Sequence, residues 1–243
     1  MKRLFDARWL VVCAMLAAVD GQAQHGARQA VEAPRVGKMV DAQGALRTVS
    51  GIAGNFLAGS VEARAVVALD CSRQACVTAP DGEVLATDGR REVAYLAETN
   101  EFIGWNIDNH SGWRSAPESL AWNPVMDGDE VLSLRLTSAG AEIAIRRGGS
   151  VWIVSQDGAA LGTLPADAVG VVLLLDEGEV FARQDAVVLR RADGTETSFP
   201  ASGVRALYRM SPDWVEAVGP YALYAVRTTA GRENVYVLPG GPD

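Results

Sequence analysis

Two similar stretches decide the fold of this chain: VWIVSQDGAALGTLPA at Val151–Ala166 and VVLRRADGTETSFPA at Val187–Ala201. Each begins with a run of apolar residues, continues through Asp-Gly, and ends in Pro-Ala. Asp157-Gly158 and Asp193-Gly194 are separated by 36 residues. Because Asp-Gly accepts the positive φ of a tight hairpin turn, each stretch predicts a strand, a turn and a second strand.

The same turn signal recurs along the chain with a period of about 38 residues. An Asp-Gly at position 81 lies two periods before the one at 157, a Gln-Gly at 43 lies one period further back, and the Ser-Gly at 111 is the best match in between. Four short strands per period are what one propeller blade requires. The sequence therefore predicts an all-β chain folded as a β-propeller of about five four-stranded blades, with a β-sandwich or barrel as the alternative.

The apolar runs also predict which strands share a blade. We expect the first unit to begin with a strand at Phe56–Gly59 and to continue through Ala65–Asp70. The last two units are expected to cover 171–199 and 204–238. The strands within Lys38–Ser50 have no complete blade of their own, so we expect them to pair with the blade that contains Asn234–Leu238 and close the ring.

The N-terminus has the pattern of an export signal. Lys2 and Arg3 precede the apolar run Trp9–Val19, and small residues lead to a cleavage position after Ala23. Eleven apolar residues are too few to span a bilayer, and no other segment is long and apolar enough to do so. We predict a signal peptide at 1–23, a flexible lead-in at 24–35, a propeller domain at 36–243, and a periplasmic or secreted location.

Two cysteines remain once the predicted signal is removed. Cys71 and Cys76 are close in sequence and lie where a hairpin narrows. Because an exported chain folds in an oxidising compartment, we predict that these two residues form a disulfide.

The string DAQGALRTVSGIAGNFLAG at Asp41–Gly59, followed by ALDCSRQACVTAPDG at Ala68–Gly82, resembles secreted bacterial proteins with propeller-type repeats. The resemblance covers most of the mature chain, but its motifs are turns and strands. It implies a fold and no transferable site. The Trp-Asp and Gly-His marks of WD repeats and the Trp-docking motif of quinoprotein propellers are missing from the sequence.

Composition excludes several classes of protein. A net charge of −8 argues against nucleic-acid binding, which needs a basic face to displace counterions. A hydrophobic fraction of 49% is too high for a disordered chain.

The sequence also lacks a phosphate-binding loop. The glycines at 51, 54 and 59 have no helix pattern after them, so no phosphate loop is predicted. We predict no cofactor.

Residues that carry catalysis are scarce. The two histidines are His25, in the predicted lead-in, and His110, in a loop, and no Gly-x-Ser-x-Gly elbow occurs. We therefore predict no catalytic residue. The alternative is a carbohydrate-active hydrolase that uses carboxylates in the central cavity, although acids such as Glu92, Glu130 and Asp176 lie at the ends of the predicted strands.

Aromatic and acidic residues supply one candidate ligand surface. Asp127, Asp129 and Glu130 share a loop, and their oxygens suit calcium, but the spacing misses the EF-hand pattern and we interpret them as a solvated turn. We predict no metal site. Three tryptophans that precede this loop lie within eighteen residues of one another, and they either pack between blades or form a binding platform. The candidate surface comprises Trp105, Trp113, Trp122, Asp127 and Asp129.

Together these observations predict an exported binding or scaffolding module without catalytic activity. Its expected partner is a protein or glycan of the cell envelope, because loops on a rigid β-scaffold commonly carry recognition. The cavity hydrolase remains the alternative.

Overall fold

A computed structural model describes residues 33–72, 76–79, 91–96, 101–106, 111–114, 125–168 and 170–240. These residues form twenty β-strands and no helix. Nothing in these ranges is a helix of the length and apolarity that crossing a bilayer requires. The predicted signal peptide and most of the predicted lead-in lie outside the described residues.

The strands follow one another as antiparallel meanders, because short apolar runs alternate with turns throughout the chain. The first three groups are β1 (Arg35–Val40), β2 (Leu46–Ile52) and β3 (Asn55–Ala63); β4 (Ala68–Cys71) and β5 (Cys76–Ala79); and β6 (Arg91–Leu96), β7 (Glu101–Asn106) and β8 (Ser111–Arg114). The fourth and fifth groups are β9 (Glu130–Thr137), β10 (Gly140–Arg147), β11 (Ser150–Ser155) and β12 (Ala160–Thr163); and β13 (Val172–Leu175), β14 (Gly178–Ala182), β15 (Ala186–Arg191) and β16 (Glu196–Pro200). The last group is β17 (Ala206–Ser211), β18 (Trp214–Val218), β19 (Leu223–Arg227) and β20 (Asn234–Leu238).

The leading strands of successive groups form a closed ring. Contacts run from β4 to β6, from β6 to β9, from β9 to β13 and from β13 to β17. The ring closes where β17 pairs in parallel with β4, with Arg209 opposite Asp70. Small meanders arranged around a ring are the architecture of a β-propeller rather than of a sandwich or barrel. The all-β and propeller predictions are confirmed, and the number of blades stays a prediction.

The strand groups confirm part of the predicted blade assignment and correct the rest. The last two predicted units correspond to β13–β16 and β17–β20. The predicted first unit is wrong, because Phe56 lies in β3, which pairs with β2 and not with β4. The predicted pairing of Lys38–Ser50 with the blade that contains Asn234–Leu238 is also wrong, since β1, β2 and β3 form a sheet of their own.

Glycines at the turns explain why the Asp-Gly signal works. Gly158 and Gly194 have φ values of 86° and 85°, and Gly44 in the turn after β1 has a φ of 73°. This left-handed region is open to glycine at little steric cost, so these three predicted turns are confirmed. The turn predicted at Ser111-Gly112 is wrong, because both residues belong to β8.

The sheet β1–β3 is held to the last sheet by packing rather than by strand pairing. Met39, Val49 and Phe56 are buried against Met210 and Leu223 of the sheet β17–β20. The β1–β3 sheet also contacts the hairpin β4–β5 through a second apolar cluster, which includes Val40, Leu46 and Leu69. The N-terminal sheet therefore contacts both strands that close the ring, β17 and β4.

The structure contains the predicted disulfide. Cys71 and Cys76 are opposite each other in the β4–β5 register, their Cα atoms are 4.0 Å apart, and their sulfurs are bonded. The pairing follows from the hairpin, because cross-strand neighbours are within disulfide reach.

Because the loop closed by this disulfide is short, its stabilising effect should be small. We expect the Cys71→Ala/Cys76→Ala double variant to lose about 2 kcal/mol of unfolding free energy, below the roughly 3 kcal/mol of a 15-residue loop. Urea denaturation compared with the parent measures the loss. Thiol titration of the denatured, unreduced parent should detect no free thiol at positions 71 and 76, and two reactive thiols there would contradict the pairing.

Candidate functional site

A cavity of about 640 Å³ lies at one end of the ring, where several leading strands begin. Its wall comes from residues before or at the start of β4, β9, β13 and β17, together with the end of β1. These segments are distant in sequence, and the ring brings them together. Nine of the nineteen lining residues are valine or leucine: Val40, Val66, Val67, Val131, Leu132, Val171, Val172, Leu207 and Val218.

The polar part of the wall includes three carboxylates. Asp129 lies just before β9 and is almost fully buried. Both its oxygens accept hydrogen bonds from the Arg147 guanidinium, at 2.8 and 2.5 Å, and the Met126 backbone N–H donates to it at 2.9 Å. The bonds from Arg147 hold the pKa of Asp129 below its ordinary value, so this carboxylate is ionised and fully engaged.

Asp41 follows β1 and has a similar environment. Its oxygens accept hydrogen bonds from the Arg47 side chain at 2.7 Å and from the backbone N–H groups of Gln43 and Ala45. Burial alone would raise the pKa of Asp41, but these donors outweigh burial and the pKa lies below its ordinary value. Asp41 therefore stabilises the turn that carries Gly44.

The third acid of the wall, Glu130, is more exposed and forms an ion pair with Arg146. Each of the three carboxylates in the wall thus has an arginine partner. A glycosidase needs one carboxyl group that stays protonated, which requires a raised pKa. Asp41 and Asp129 are shifted in the opposite direction, so this wall does not favour the hydrolase alternative.

The structure brings two residues of the predicted ligand surface to this cavity. Trp105, in β7, and Asp129 both contribute to the wall. Trp105 is only 1% exposed, so it supports the wall from behind. Asp127 lies in an exposed turn away from the lining residues. Trp113 lies in β8, but its side chain is not among those that the structure describes. Trp122, His25 and His110 lie outside the described residues.

The acidic loop at 127–130 is built from ion pairs rather than from converging ligands. Asp129 and Glu130 are turned toward Arg147 and Arg146. In the part of the chain that the structure describes, no three His, Cys, Asp or Glu residues form a group that could hold a metal ion.

One titratable residue behind the cavity wall was missed by the sequence analysis. Glu216, in β18, is 0% exposed, and its Oε2 accepts a hydrogen bond of 2.8 Å from the Val40 backbone N–H. Burial raises the pKa of Glu216 to about 8. The segment WVEAV carries no sequence signal for a buried glutamate, because the burial arises from other sheets that cover both faces of β18.

Comparison with solved structures returns weakly similar bacterial proteins. Virginiamycin B lyase from Staphylococcus aureus is 10% identical, with 85% of each chain aligned and a TM-score of 0.45. PorZ, a surface component of the type-IX secretion system of Porphyromonas gingivalis, is 14% identical with a TM-score of 0.40; 86% of this chain aligns with 27% of PorZ. A protein of unknown function from Bacteroides caccae is 10% identical, with coverages of 83% and 72% and a TM-score of 0.38.

No protein-family model matches the chain, and no curated protein matches it. Support for the resemblance to propeller-repeat proteins comes from the ring topology of this chain. Secretion stays a prediction.

Proposed function

We propose that this chain is an exported, non-catalytic binding module. The cavity at the end of its ring receives an apolar side chain from a protein segment in the cell envelope. The cavity wall carries the proposal. It is concave, valine and leucine are its commonest lining residues, and its carboxylates are held in ion pairs that leave no free acid–base pair among the described lining residues. Sites of this kind bind through apolar contact with a few orienting polar groups.

A protein segment fits this wall better than a glycan does. Sugars are commonly bound by stacking on exposed aromatic rings, whereas Trp105 is 1% exposed. Tyr208, the other aromatic residue of the wall, is only partly exposed and packs against two apolar clusters. Val67, by contrast, is 44% exposed at the cavity. An aliphatic or aromatic side chain inserted there would bury apolar surface on both partners.

The proposed location agrees with the cysteine chemistry. The Cys71–Cys76 disulfide is typical of proteins that fold outside the reducing cytosol. This hint and the N-terminal sequence pattern support a periplasmic or secreted location, which fractionation of the native host would test directly.

Binding can be tested with small probes of defined chemistry. We expect N-acetyl-phenylalaninamide to shift the backbone amide signals of Val67, Leu132 and Leu207 in the ¹⁵N-labelled mature protein. Its affinity should exceed that of N-acetyl-alaninamide at least about tenfold, because a buried phenyl ring contributes roughly 1.5–3 kcal/mol. N,N′-diacetylchitobiose serves as the glycan probe and should leave these signals unchanged.

A matched pair of variants locates the site. Val67→Asp should weaken phenylalaninamide binding about tenfold, because it places a charge at an apolar wall. Val237→Asp is the control, since Val237 is also an exposed valine, at 65%, but lies outside the cavity lining. Equal losses in both variants, or cleavage of the chitobiose, would contradict the proposal.

A further inference from the structure

Glu216 is buried in the apolar layer between the first and last sheets. On the same face of the last sheet, Tyr208, Trp214 and Val218 pack toward the β1–β3 sheet. In this layer Glu216 joins the two sheets directly, because its Oε2 accepts the hydrogen bond from the Val40 N–H. Its Oε1 is buried and has no hydrogen-bond partner among the described residues.

The charges around Glu216 do not compensate its own. From the β1 side it faces Asp41, whose negative charge disfavours ionisation of Glu216. The nearby cation on β2, Arg47, is bound to Asp41. From β17 it is opposite Tyr208, and from β19 it is opposite Ala225, which carries no charge. No described arginine or lysine forms an ion pair with Glu216.

We propose that Glu216 is a proton-operated latch, which in its neutral form holds the end of β1 against β18 and on ionisation releases it. Val40 and Asp41 are both part of the cavity wall, and Tyr208 and Val218 lie in the same wall. Release of β1 therefore also opens the cavity. The docking step does not depend on the proposed function, whereas its effect on ligand affinity rests on that function.

The pH range follows from proton linkage. Burial raises the pKa of Glu216 to about 8 in the docked state, compared with an ordinary value of 4.5. A raised pKa means that the docked state binds more protons than the released state between these two values. The contribution of Glu216 to docking is therefore fully present below about pH 4.5 and decreases as the pH rises. Above about pH 8 both states are ionised, and the decrease levels off.

Hydrogen exchange of the Val40 amide reports the latch directly. After correction for the intrinsic exchange rate, we expect its protection in the wild-type mature protein to fall by up to about tenfold per pH unit between pH 5 and 8, and to level off above pH 8. In Glu216→Gln the amide oxygen still accepts the Val40 bond but does not titrate, so protection should be independent of pH. Because other titrating groups affect both proteins equally, the difference between the two curves isolates Glu216.

The control variant is Glu179→Gln, which alters another buried glutamate, one that forms an ion pair with Arg190. It should retain the wild-type pH profile at Val40. If Glu216→Gln does not fold, ¹³C titration of the Glu216 carboxyl in the wild-type protein replaces it. A midpoint near the ordinary value, or the same profile in wild type and Glu216→Gln, would overturn the latch.

Ligand affinity separates the latch from the proposed function. N-acetyl-phenylalaninamide should bind more weakly to the wild-type protein at pH 8 than at pH 5.5, with no change in Glu216→Gln. A pH-dependent Val40 profile without any phenylalaninamide binding would support the latch and reject the proposed ligand. Binding without a pH-dependent Val40 profile would reject the latch and support the ligand.

Discussion

Arg209→Met should reduce the unfolding free energy of the domain by about 3–5 kcal/mol, the usual result of removing one partner from a buried ionic network. Arg209 is 6% exposed. Its Nε lies 3.0 Å from Asp70 Oδ1, its Nη1 donates to Asp176 at 2.9 Å, and its Nη2 donates to the Leu174 carbonyl oxygen at 2.8 Å. One guanidinium thus links β17 to β4 and to the end of β13, at the closure of the ring.

The expected loss arises because Asp70, which is 4% exposed, would keep its negative charge and lose the nearby cation. Arg209→Met/Asp70→Asn should recover part of the stability, since it removes both charges, and the double-mutant cycle gives the coupling between them. Arg209→Lys should be intermediate, because an ammonium group cannot reach three partners in a planar fork.

The exposed pair Arg146 and Glu130 provides the matched control. Arg146→Met should lower the unfolding free energy by less than about 1 kcal/mol, as is typical of surface ion pairs. Urea denaturation followed by tryptophan fluorescence measures all these variants under one set of conditions. Equal losses for Arg209→Met and Arg146→Met would contradict a role for Arg209 in closing the ring.

Sequence patterns correctly predicted the strands and turns that are determined by residues close together in the sequence. The Asp-Gly turns at 157 and 193 were correct, because a glycine with positive φ ends the three-residue loop of each hairpin. The pairing of Cys71 with Cys76 was correct because only four residues separate them, which places them opposite each other in a hairpin. The strand near Phe56 was predicted correctly as a strand but assigned to the wrong sheet, since period-2 alternation states that a strand exists and not which strand lies beside it.

The candidate site depends on contacts that sequence patterns do not encode. The cavity wall combines Val40, Val67, Leu132, Val172 and Leu207, which come from five separate strand groups and share no motif. Trp105 and Asp129 were selected for their residue types, and the ring brings both to the wall. Glu216 was missed because its burial depends on a sheet more than 150 residues earlier in the chain, as its bond to Val40 illustrates.

Deleting Lys38–Ser50 should destabilise the whole domain by at least about 5 kcal/mol and lower its Tm by at least about 10 °C. The deleted segment contains Met39, Val40, Leu46 and Val49, each buried to 95% or more. Its removal exposes the face of the last sheet that carries Met210, Leu223 and Ala225, which are 0% exposed in the intact domain. Because that sheet also closes the ring through the β17–β4 pair, the loss should extend beyond the N-terminal strands.

Two smaller changes separate this packing effect from general damage to the β1–β3 sheet. Met39→Ala removes one fully buried side chain and should lower the unfolding free energy by about 2–5 kcal/mol. Ile52→Ala/Leu57→Ala alters two side chains of the same sheet that are 65% and 62% exposed, and it should change the unfolding free energy by less than about 1 kcal/mol. Thermal melts followed by circular dichroism measure both effects. A deletion variant that melts within about 2 °C of the parent, a shift worth roughly 1 kcal/mol or less, would mean that the β1–β3 sheet is an appendage of the ring rather than part of its core.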